Sequence, residues 1–403
     1  MDKQNNRLIG GVLLIAGTAI GAGMLALPVS TSFGGFIPSI LIFFICWAFM
    51  LVTAFFFLEV NLAIRGEPNL VSMAGKTLGT WGKSLSWIFY LLLLYSLLAA
   101  YIAGCSPLFQ SAFAGLFHIT FHTWFYHFIL PALFGGFVYL GTKGVDYINR
   151  FLMIGLLVSY FLLVGYCPTF IEMPRLFHTD YLASILAIPI VITSFGYHII
   201  IPTLTTYLNH DAKKLRKALI IGSSIPFIIY ILWQWIILGS VPLVDLVATW
   251  KQGLPATVPL SKVTALKWVG IGAQFFSFFA IVTSFLGVSL SLSDFLTDGL
   301  KIKKTWEGRF LAIALTFIPP LIFIFTYQKS FYIALEYAGI FVVILLGVLP
   351  SLMVLKLKDH SFFKKKRGKY FAFFILFLCF IMIVVNCLEK FGFLKCFIAP
   401  YLE

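Results

Sequence analysis

Residues 17–28 read GTAIGAGMLALP and lie inside an apolar run that extends from residue 8 to about residue 30. An apolar run of this length can cross a bilayer as a helix. Residues 17–28 nevertheless carry three glycines and a proline; glycine weakens a helix by about 1 kcal/mol relative to alanine, and proline costs more. A broken helix is tolerated in lipid only where protein or a polar cavity satisfies the freed N–H and C=O groups. The stretch therefore predicts a binding site at membrane depth, or else a close helix contact through small residues.

The composition is that of a polytopic membrane protein. Of the 403 residues, 61% are hydrophobic and 11% are charged, and this charged share is about half that of a soluble domain. The mean hydropathy is +0.99. Eleven apolar runs can be read, near residues 8–30, 36–62, 85–110, 125–142, 149–168, 182–207, 217–240, 268–297, 308–327, 331–356 and 370–390.

The positive charges alternate between the loops. The N-terminal segment and every second loop hold 22 of the 29 Lys and Arg residues. The positive-inside rule then places the N-terminus in the cytoplasm and, with eleven spans, the C-terminus outside. The strongest basic run, residues 364–367, lies between the last two spans and is typical of a topology determinant that meets anionic headgroups. The net charge of +14 therefore reflects topology, and we expect no nucleic-acid partner.

The sixth apolar run repeats the irregularity of the first. Pro189 precedes the motif TSFGYH at residues 193–198, and Pro202 follows it. Polar and helix-breaking residues thus again lie in the middle of a span. Two breaks at matching positions favour a shared site over packing by small residues alone.

The two irregular spans are five apart and head two units of five spans, residues 8–168 and 182–356, followed by an eleventh span at residues 370–390. Because the offset is odd, the second unit crosses the membrane in the opposite direction. Paired broken helices in an inverted repeat are typical of secondary transporters with a site near the midplane. We therefore predict an all-α integral membrane protein of eleven transmembrane helices. It consists of a 5+5 inverted repeat plus one helix, in a single domain of residues 1–403.

No motif indicates a metal, a cofactor or an enzyme. His118 and His122 are spaced as neighbours on a helix and His127 follows, but no Cys, Asp or Glu lies nearby to complete a ligand set. The six cysteines are scattered, without a C-x-x-C pair. Walker, G-x-S-x-G and H-E-x-x-H motifs do not occur either. A membrane enzyme or an assembly subunit, in which the glycines serve packing, is the alternative from another class.

Three motifs carry a family resemblance that covers essentially the whole chain. GTAIGAGMLALP at residues 17–28 resembles the first-helix signature of the hydroxy and aromatic amino acid permeases, which include the bacterial tyrosine and tryptophan permeases. TSFGYH at residues 193–198 and TSFLGV at residues 283–288 are similar to the sixth- and eighth-helix patterns of that family. The family is similar in architecture to the bacterial leucine transporter, the inverted-repeat fold predicted above.

The resemblance implies a secondary transporter that imports an aromatic amino acid, tyrosine or tryptophan, by ion symport. It also implies a bacterial inner membrane, so the C-terminus would be periplasmic. A permease for serine, threonine or a branched-chain amino acid is the rival within transporters. The choice between tyrosine and tryptophan and the oligomeric state stay open.

A zwitterionic substrate needs a partner for each of its charged ends. At the first break, the N–H groups of Ala22, Gly23 and Met24 would lie at the N-terminus of the outer half-helix, whose partial positive charge suits a carboxylate. Gly21 and Gly23 would let the ligand approach the backbone. At the second break, three carbonyls would face the ammonium group, those of Thr193, Ser194 and Phe195. Either half of the sixth span could supply this C-terminal helix end.

The ring of the substrate needs an apolar and partly polar pocket. Similarity to the fold of the leucine transporter places four side chains around it: Val191, Tyr197, Ser284 and Val288. The third span offers candidates for a wall against the ring, Tyr95, Ala99 and Tyr101.

The coupling ion is a proton or sodium. A set of carbonyl and hydroxyl oxygens resembles the sodium position of that fold, from Gly17, Ile20, Ala280, Thr283 and Ser284. Members of the family are regarded as proton symporters, however, and a proton carrier needs titratable groups within the membrane. The available groups are those of Glu59, Glu336 and His198. Glu59 is equally suited to a structural role; on the resemblance alone we favour protons.

Reporter fusions at Lys365 and at the C-terminus test the predicted topology. Because one span separates the two positions, we expect a cytoplasmic signal at Lys365 and a periplasmic signal at the C-terminus. Paired alkaline phosphatase and fluorescent protein fusions measure both locations. The same location for both positions would contradict the eleven-span topology, and the paired repeat with it.

Overall fold

The computed structural model describes residues 3–64, 66, 68–140, 142–264, 266–303, 305–327, 329–357, 366–390 and 392–402. The first helices are α1 (Lys3–Ala19), α2 (Gly23–Thr31), α3 (Phe36–Ala63), α4 (Leu70–Phe117), α5 (Thr123–Leu140) and α6 (Thr142–Tyr166). They are followed by α7 (Tyr181–Ser184), α8 (Ile188–Ser194), α9 (Ile201–Tyr207), α10 (Ala212–Ser240), α11 (Leu243–Gln252) and α12 (Thr257–Val263). The last are α13 (Lys267–Gly299), α14 (Trp306–Thr326), α15 (Ser330–Val342), α16 (Leu349–Lys356), α17 (Lys366–Lys390) and α18 (Ala399–Leu402).

Eleven membrane spans can be assigned to these helices. Ten stretches are long and apolar enough by themselves: α3, α4, α5, α6, α7 to α9, α10, α13, α14, α15 to α16, and α17. The pair of α1 and α2, bent by 56°, forms the eleventh. The predicted all-α fold is confirmed over the described residues, with ten spans, or eleven when α1 and α2 are counted as one. The inverted relation of the two units and the single-domain division stay predictions.

The third span is longer than its apolar run. α4 begins at Leu70, where the side chain of Asn69 accepts the N–H of Ser72 at 2.9 Å. Gly79, with φ +77°, bends the helix shortly afterwards. Hydropathy marks only residues 85–110, because the first turns of the helix are more polar.

The two termini lie at opposite ends of the helix bundle. The first half of α1 packs beside the end of α9, where a Cβ built on Gly10 would lie 2.5 Å from the Tyr207 hydroxyl oxygen. The C-terminal tail packs at the other end, where the Tyr401 hydroxyl donates to the Asp180 carboxylate at 2.8 Å and the ring contacts Phe33. An odd number of spans requires this arrangement. Following the predicted topology, we call the end that holds the tail the outer end and the opposite one the inner end.

Asp180 is an ionised anchor for the tail. Burial raises the pKa of its carboxyl group, but hydrogen bonds from the N–H of Ala183, the Tyr401 hydroxyl and the N–H of Leu182 outweigh burial, so the pKa lies below its ordinary value. The carboxylate therefore remains an acceptor for Tyr401 at neutral pH.

In the basic run at residues 364–367, the first two residues lie outside the described part of the chain, and α17 begins at the third.

Both irregular spans are broken near the middle. The first span loses its helix at residues 20–22, between α1 and α2. The sixth span is interrupted at residues 195–197, between α8 and a 3₁₀ turn at His198–Ile200. The two breaks are in contact, because a Cβ built on Gly23 would lie 2.6 Å from the Ser194 Oγ.

One side chain of α10 joins the two breaks. The Tyr230 hydroxyl lies 2.7 Å from the carbonyl oxygen of Ala19 and 2.9 Å from that of Ser194. These residues end α1 and α8, where the last carbonyls of a helix have no partner within the helix. Tyr230 is 1% exposed, so its single hydroxyl hydrogen is shared between two acceptors away from water. The contact holds both broken spans against α10.

Replacing Tyr230 by phenylalanine tests this connection. Tyr230→Phe keeps the ring but leaves two buried carbonyls without their donor, so we expect the free energy of unfolding to fall by about 1–3 kcal/mol. The matched control is Tyr160→Phe, because the Tyr160 hydroxyl donates to one carbonyl, that of Ile229, at 3.3 Å. Thermal unfolding of the purified variants in detergent compares them. Equal melting temperatures would show that Tyr230 does not tie the breaks together.

Candidate functional site

A cavity of about 520 Å³ lies between the two breaks and the helices α4, α6, α13 and α15. Gly17 and Thr18, before the first break, are exposed, and Ile199, after the second, is 43% exposed. Beyond the first break, by contrast, residues 24–31 are buried, and the N–H of Ala256 before α12 donates to a carbonyl of α2 at 3.0 Å. The cavity therefore opens towards the inner end and is closed towards the outer end.

Most of the predicted site residues line this cavity. Its wall includes Gly17, Ile20, Gly21, Ala22, Gly23, Tyr101, Thr193, Ser194, His198, Thr283, Ser284 and Val288. The remaining predicted residues lie outside the wall: Met24, Glu59, Tyr95, Ala99, Val191, Phe195, Tyr197, Ala280 and Glu336. The structure thus brings predicted residues from four separate spans to one cavity, while the role of each residue stays a prediction.

Ser284 of α13 holds the first break. Its hydroxyl oxygen accepts the N–H of Ala22 at 3.2 Å and donates to the carbonyl of Ala280 at 3.0 Å. A Cβ on Gly21 would collide with the same oxygen, so the contact requires glycine. α2 begins at Gly23, and the first N–H groups of a helix have no partner within it. Here the N–H of Met24 donates to the carbonyl of Gly21, before the helix, at 3.1 Å. These N–H groups give the cavity wall a partly positive region.

The C-terminal end of α8 supplies the opposite polarity. α8 ends at Ser194, whose carbonyl accepts the Tyr230 hydroxyl, while the carbonyl of Thr193 accepts the N–H of Gly196 at 3.1 Å. The side-chain hydroxyls of Thr193 and Ser194 turn back to carbonyls one turn earlier in α8. The sequence left open which half of the sixth span would present its C-terminal end. The structure shows that this is the half before the break, which begins near Asp180 at the outer end.

The predicted aromatic wall is divided between the cavity and the protein interior. Tyr101 lines the cavity, and its hydroxyl faces the side chain of Ser284. Tyr95, on the same helix, donates its hydroxyl hydrogen to the carbonyl of Leu315 at 2.9 Å. Tyr197 is 0% exposed. Other buried side chains outside the wall are those of Met24, Ala99, Val191 and Phe195.

The hydroxyl groups proposed for sodium are ordered by α13 itself. The Thr283 hydroxyl donates to the carbonyl of Phe279 at 2.8 Å, and that of Ser284 donates to Ala280. Both oxygens therefore keep lone pairs for a further donor or a cation. Gly17 and Ile20 line the cavity with them, whereas Ala280 is fully buried.

The two carboxylates predicted from the sequence as proton carriers form ion pairs away from the cavity. Glu59, near the inner end of α3, pairs with Arg216 at 2.5 Å. Glu336, near the outer end of α15, pairs with Lys390 of α17. His198 lies in the cavity wall instead. Among the described residues, no three His, Cys, Asp or Glu side chains are grouped so that they could hold a metal ion.

Sequence reasoning missed Tyr230, which joins the breaks, and several residues of the cavity wall, among them Tyr90 and Asn149. The signal for Asn149 was weak, because this residue lies at the start of the apolar run of α6, beside Arg150. Its Oδ1 is buried without a hydrogen-bond partner among the described residues. The two tyrosines had none, since the chain contains 17 of them.

Comparison with known proteins shows similarity along almost the whole chain. Residues 4–388 match the model of the tryptophan/tyrosine permease family. The chain is 29% identical to a tryptophan-specific transport protein of Haemophilus influenzae over 407 residues, 97% of each chain. It is 33% identical to tyrosine-specific transport system 2 of the same bacterium over 360 residues, 86% of each chain. It is also 28% identical to the low affinity tryptophan permease of Escherichia coli K12 over 420 residues, 97% of this chain and 99% of the relative.

These matches confirm the resemblance that rests on residues 17–28, 193–198 and 283–288. They extend over both broken spans and over the helices that enclose the cavity. The chain is therefore a multi-span membrane protein that belongs to the tryptophan/tyrosine permease family.

Proposed function

We propose that this protein imports an aromatic amino acid, tryptophan or tyrosine, across a bacterial inner membrane by symport with an ion. Its relatives are named for tryptophan or tyrosine transport. The observation that carries the proposal is the contact of Gly23 with Ser194, because it sets the start of α2 beside the end of α8. Helix ends of opposite polarity then meet at one cavity, as a zwitterion requires.

In this proposal the charged ends of the amino acid bind backbone groups. The carboxylate binds the N–H groups of Ala22 and Gly23, where it joins or replaces the hydroxyl of Ser284. The N–H of Met24, the third predicted donor, already donates to the carbonyl of Gly21 at 3.1 Å. The ammonium group binds carbonyls at the end of α8. The ring then extends along Tyr101 and Val288 into the rest of the cavity, whose volume of about 520 Å³ is in the range typical of small-molecule sites.

The cavity faces the cytoplasm if the N-terminus is cytoplasmic and the C-terminus periplasmic. The structure is then the inward-open state of the transport cycle, with the outer path closed by α2 and α12. A permease for serine, threonine or a branched-chain amino acid would need the same backbone site. The tryptophan and tyrosine names of the relatives favour the aromatic substrate.

We further propose that protons drive import. Glu336 and Glu59 are carboxylates within or near the membrane, each held by a cation from another helix, and His198 lies at the cavity itself. Such groups in a membrane are functional candidates by default. Sodium at the oxygens of Thr283 and Ser284 is the alternative.

Competition by a methyl ester tests the carboxylate site. Tryptophan methyl ester lacks the negative charge, so its competition with tryptophan uptake should be about 10- to 150-fold weaker, the equivalent of one hydrogen bond to a charged group. Gly23→Ala should lower uptake at least tenfold, because its Cβ would lie 2.6 Å from the Ser194 Oγ. The control is Gly165→Ala, where an added Cβ meets no atom within 4 Å. If the ester competes as well as the free acid, the substrate carboxylate does not bind at this helix end.

Uptake into proteoliposomes under separate gradients tests the coupling ion. We expect a pH gradient to drive accumulation without sodium. Glu336→Gln should then lose accumulation but keep exchange, because the carboxamide cannot carry a proton, while Glu307→Gln, at an exposed residue of α14, should behave as wild type. Two results together would assign the coupling to sodium. Accumulation would persist with a proton uncoupler under a sodium gradient, and the double variant Thr283→Ala, Ser284→Ala would abolish it.

A further inference from the structure

His198 is a buried histidine in the wall of the cavity. It directly follows the second break and is 0% exposed. Its ring lies edge-on to that of Phe57, with centroids 6.1 Å apart, and beside the ring of Tyr197. The Nε2 atom lies 3.0 Å from the hydroxyl oxygen of Thr53 on α3. The Nδ1 atom is buried and has no hydrogen-bond partner in the part of the chain that the structure describes.

The hydroxyl of Thr53 decides which ring nitrogen carries the hydrogen. Thr53 Oγ1 lies 3.1 Å from the carbonyl oxygen of Met50, to which it donates its single hydrogen. Nε2 of His198 is then the donor to Thr53, and Nδ1 is an unprotonated acceptor. The opposite tautomer would bury an N–H without an acceptor, and an unpaired buried N–H is rarer in folded proteins than an unpaired buried acceptor. The hydrogen-bond network thus leaves a bare lone pair on a residue of the cavity wall.

Nδ1 is covered in this structure, so a ligand that enters the cavity completes this acceptor only together with a movement of the side chains that lie over it. The helix ends at the two breaks already match the carboxylate and the ammonium group of an amino acid. Nδ1 of His198 is an additional acceptor, so it fits a substrate with an additional hydrogen-bond donor. Leaving a buried polar atom without a hydrogen bond costs free energy. Tryptophan and tyrosine each carry one such donor on the ring, the indole N–H and the phenol O–H, whereas phenylalanine carries none.

We propose that Nδ1 of His198 accepts a hydrogen bond from the ring N–H of tryptophan or the ring O–H of tyrosine. The site thereby selects aromatic amino acids that have a ring donor. This inference rests on the proposed function, whose cavity it uses. Because Nδ1 must be unprotonated to accept this hydrogen bond, His198 is neutral while the substrate is bound. The proton carrier in the proposed function is then Glu336 or Glu59.

Isosteric ligands that lack the donor test the assignment in binding assays with the purified full-length protein. Tryptophan is compared with 3-benzothienylalanine, whose ring has a similar shape but sulfur in place of the N–H. We expect tryptophan to bind about 5- to 150-fold more tightly, the range for one buried acceptor that is left unpaired. Tyrosine should likewise bind more tightly than 4-fluorophenylalanine. Equal affinity for tryptophan and benzothienylalanine would overturn the proposal.

A pair of variants separates the two nitrogens of His198. The amide of glutamine falls near the position of Nε2, so His198→Gln keeps the contact with Thr53 and loses the acceptor at Nδ1. The amide of asparagine falls near Nδ1, so His198→Asn does the reverse. The preference for tryptophan should disappear in His198→Gln and persist in His198→Asn. His127→Gln, on α5 outside the cavity wall, should keep the wild-type preference.

The affinity of His198→Gln for benzothienylalanine shows whether this variant is folded, since that ligand does not use Nδ1. A His198→Gln protein that binds benzothienylalanine normally and still prefers tryptophan would overturn the proposal. Should that variant fail to fold, ¹⁵N NMR of the histidine-labelled wild type decides. The Nδ1 resonance of His198 should shift with tryptophan but not with benzothienylalanine, and no difference between the two counts against the hydrogen bond.

Failure of the proposed function has a different signature. A protein that binds neither tryptophan nor tyrosine, but transports another amino acid, overturns the aromatic substrate and this inference together. A protein that transports tryptophan and benzothienylalanine equally well leaves the proposed function standing and removes only the role of His198.

Discussion

A peptide group that loses its helical partner must find another one inside a membrane, because lipid offers none. This chain interrupts its helical hydrogen bonds at two places and supplies substitutes from neighbouring helices. Tyr230 of α10 donates to the carbonyls that end α1 and α8, and Ser284 of α13 accepts the N–H of Ala22. The contacts of α10 and α13 with the broken spans therefore serve the same requirement, and the cavity lies at the breaks, with α13 in its wall.

The same breaks place partial charges in an apolar region without any ionised side chain. The start of α2 is partly positive and the end of α8 is partly negative. The carboxylates of Glu59 and Glu336 are instead paired with cations towards opposite ends of the bundle. A zwitterion bound at the breaks would neutralise both helix ends at once, whereas a singly charged ligand would leave one of them unmatched.

The spans and both breaks could be predicted because their signals are local. Glycine and proline inside an apolar run mark residues 17–28 and 193–198 whatever surrounds them. The partners of the breaks could not be predicted, because they depend on how each helix is rotated about its axis. Tyr95 and Tyr101 lie less than two turns apart on α4, yet only Tyr101 faces the cavity. Tyr230 sits in a regular apolar span, and only the rotation of α10 brings its hydroxyl to Ala19.

The packing of Tyr401 against Phe33 and Asp180 has a consequence for biosynthesis. A ribosome makes Phe33 long before Tyr401, so Phe33 meets this partner only after the spans between them have been synthesised. The outer end of the first span therefore reaches its final packing only after the last span has been inserted. A stop codon shortly before Tyr401, or a bulky tag fused directly after it, would act on the completion of assembly while leaving the cavity residues unchanged.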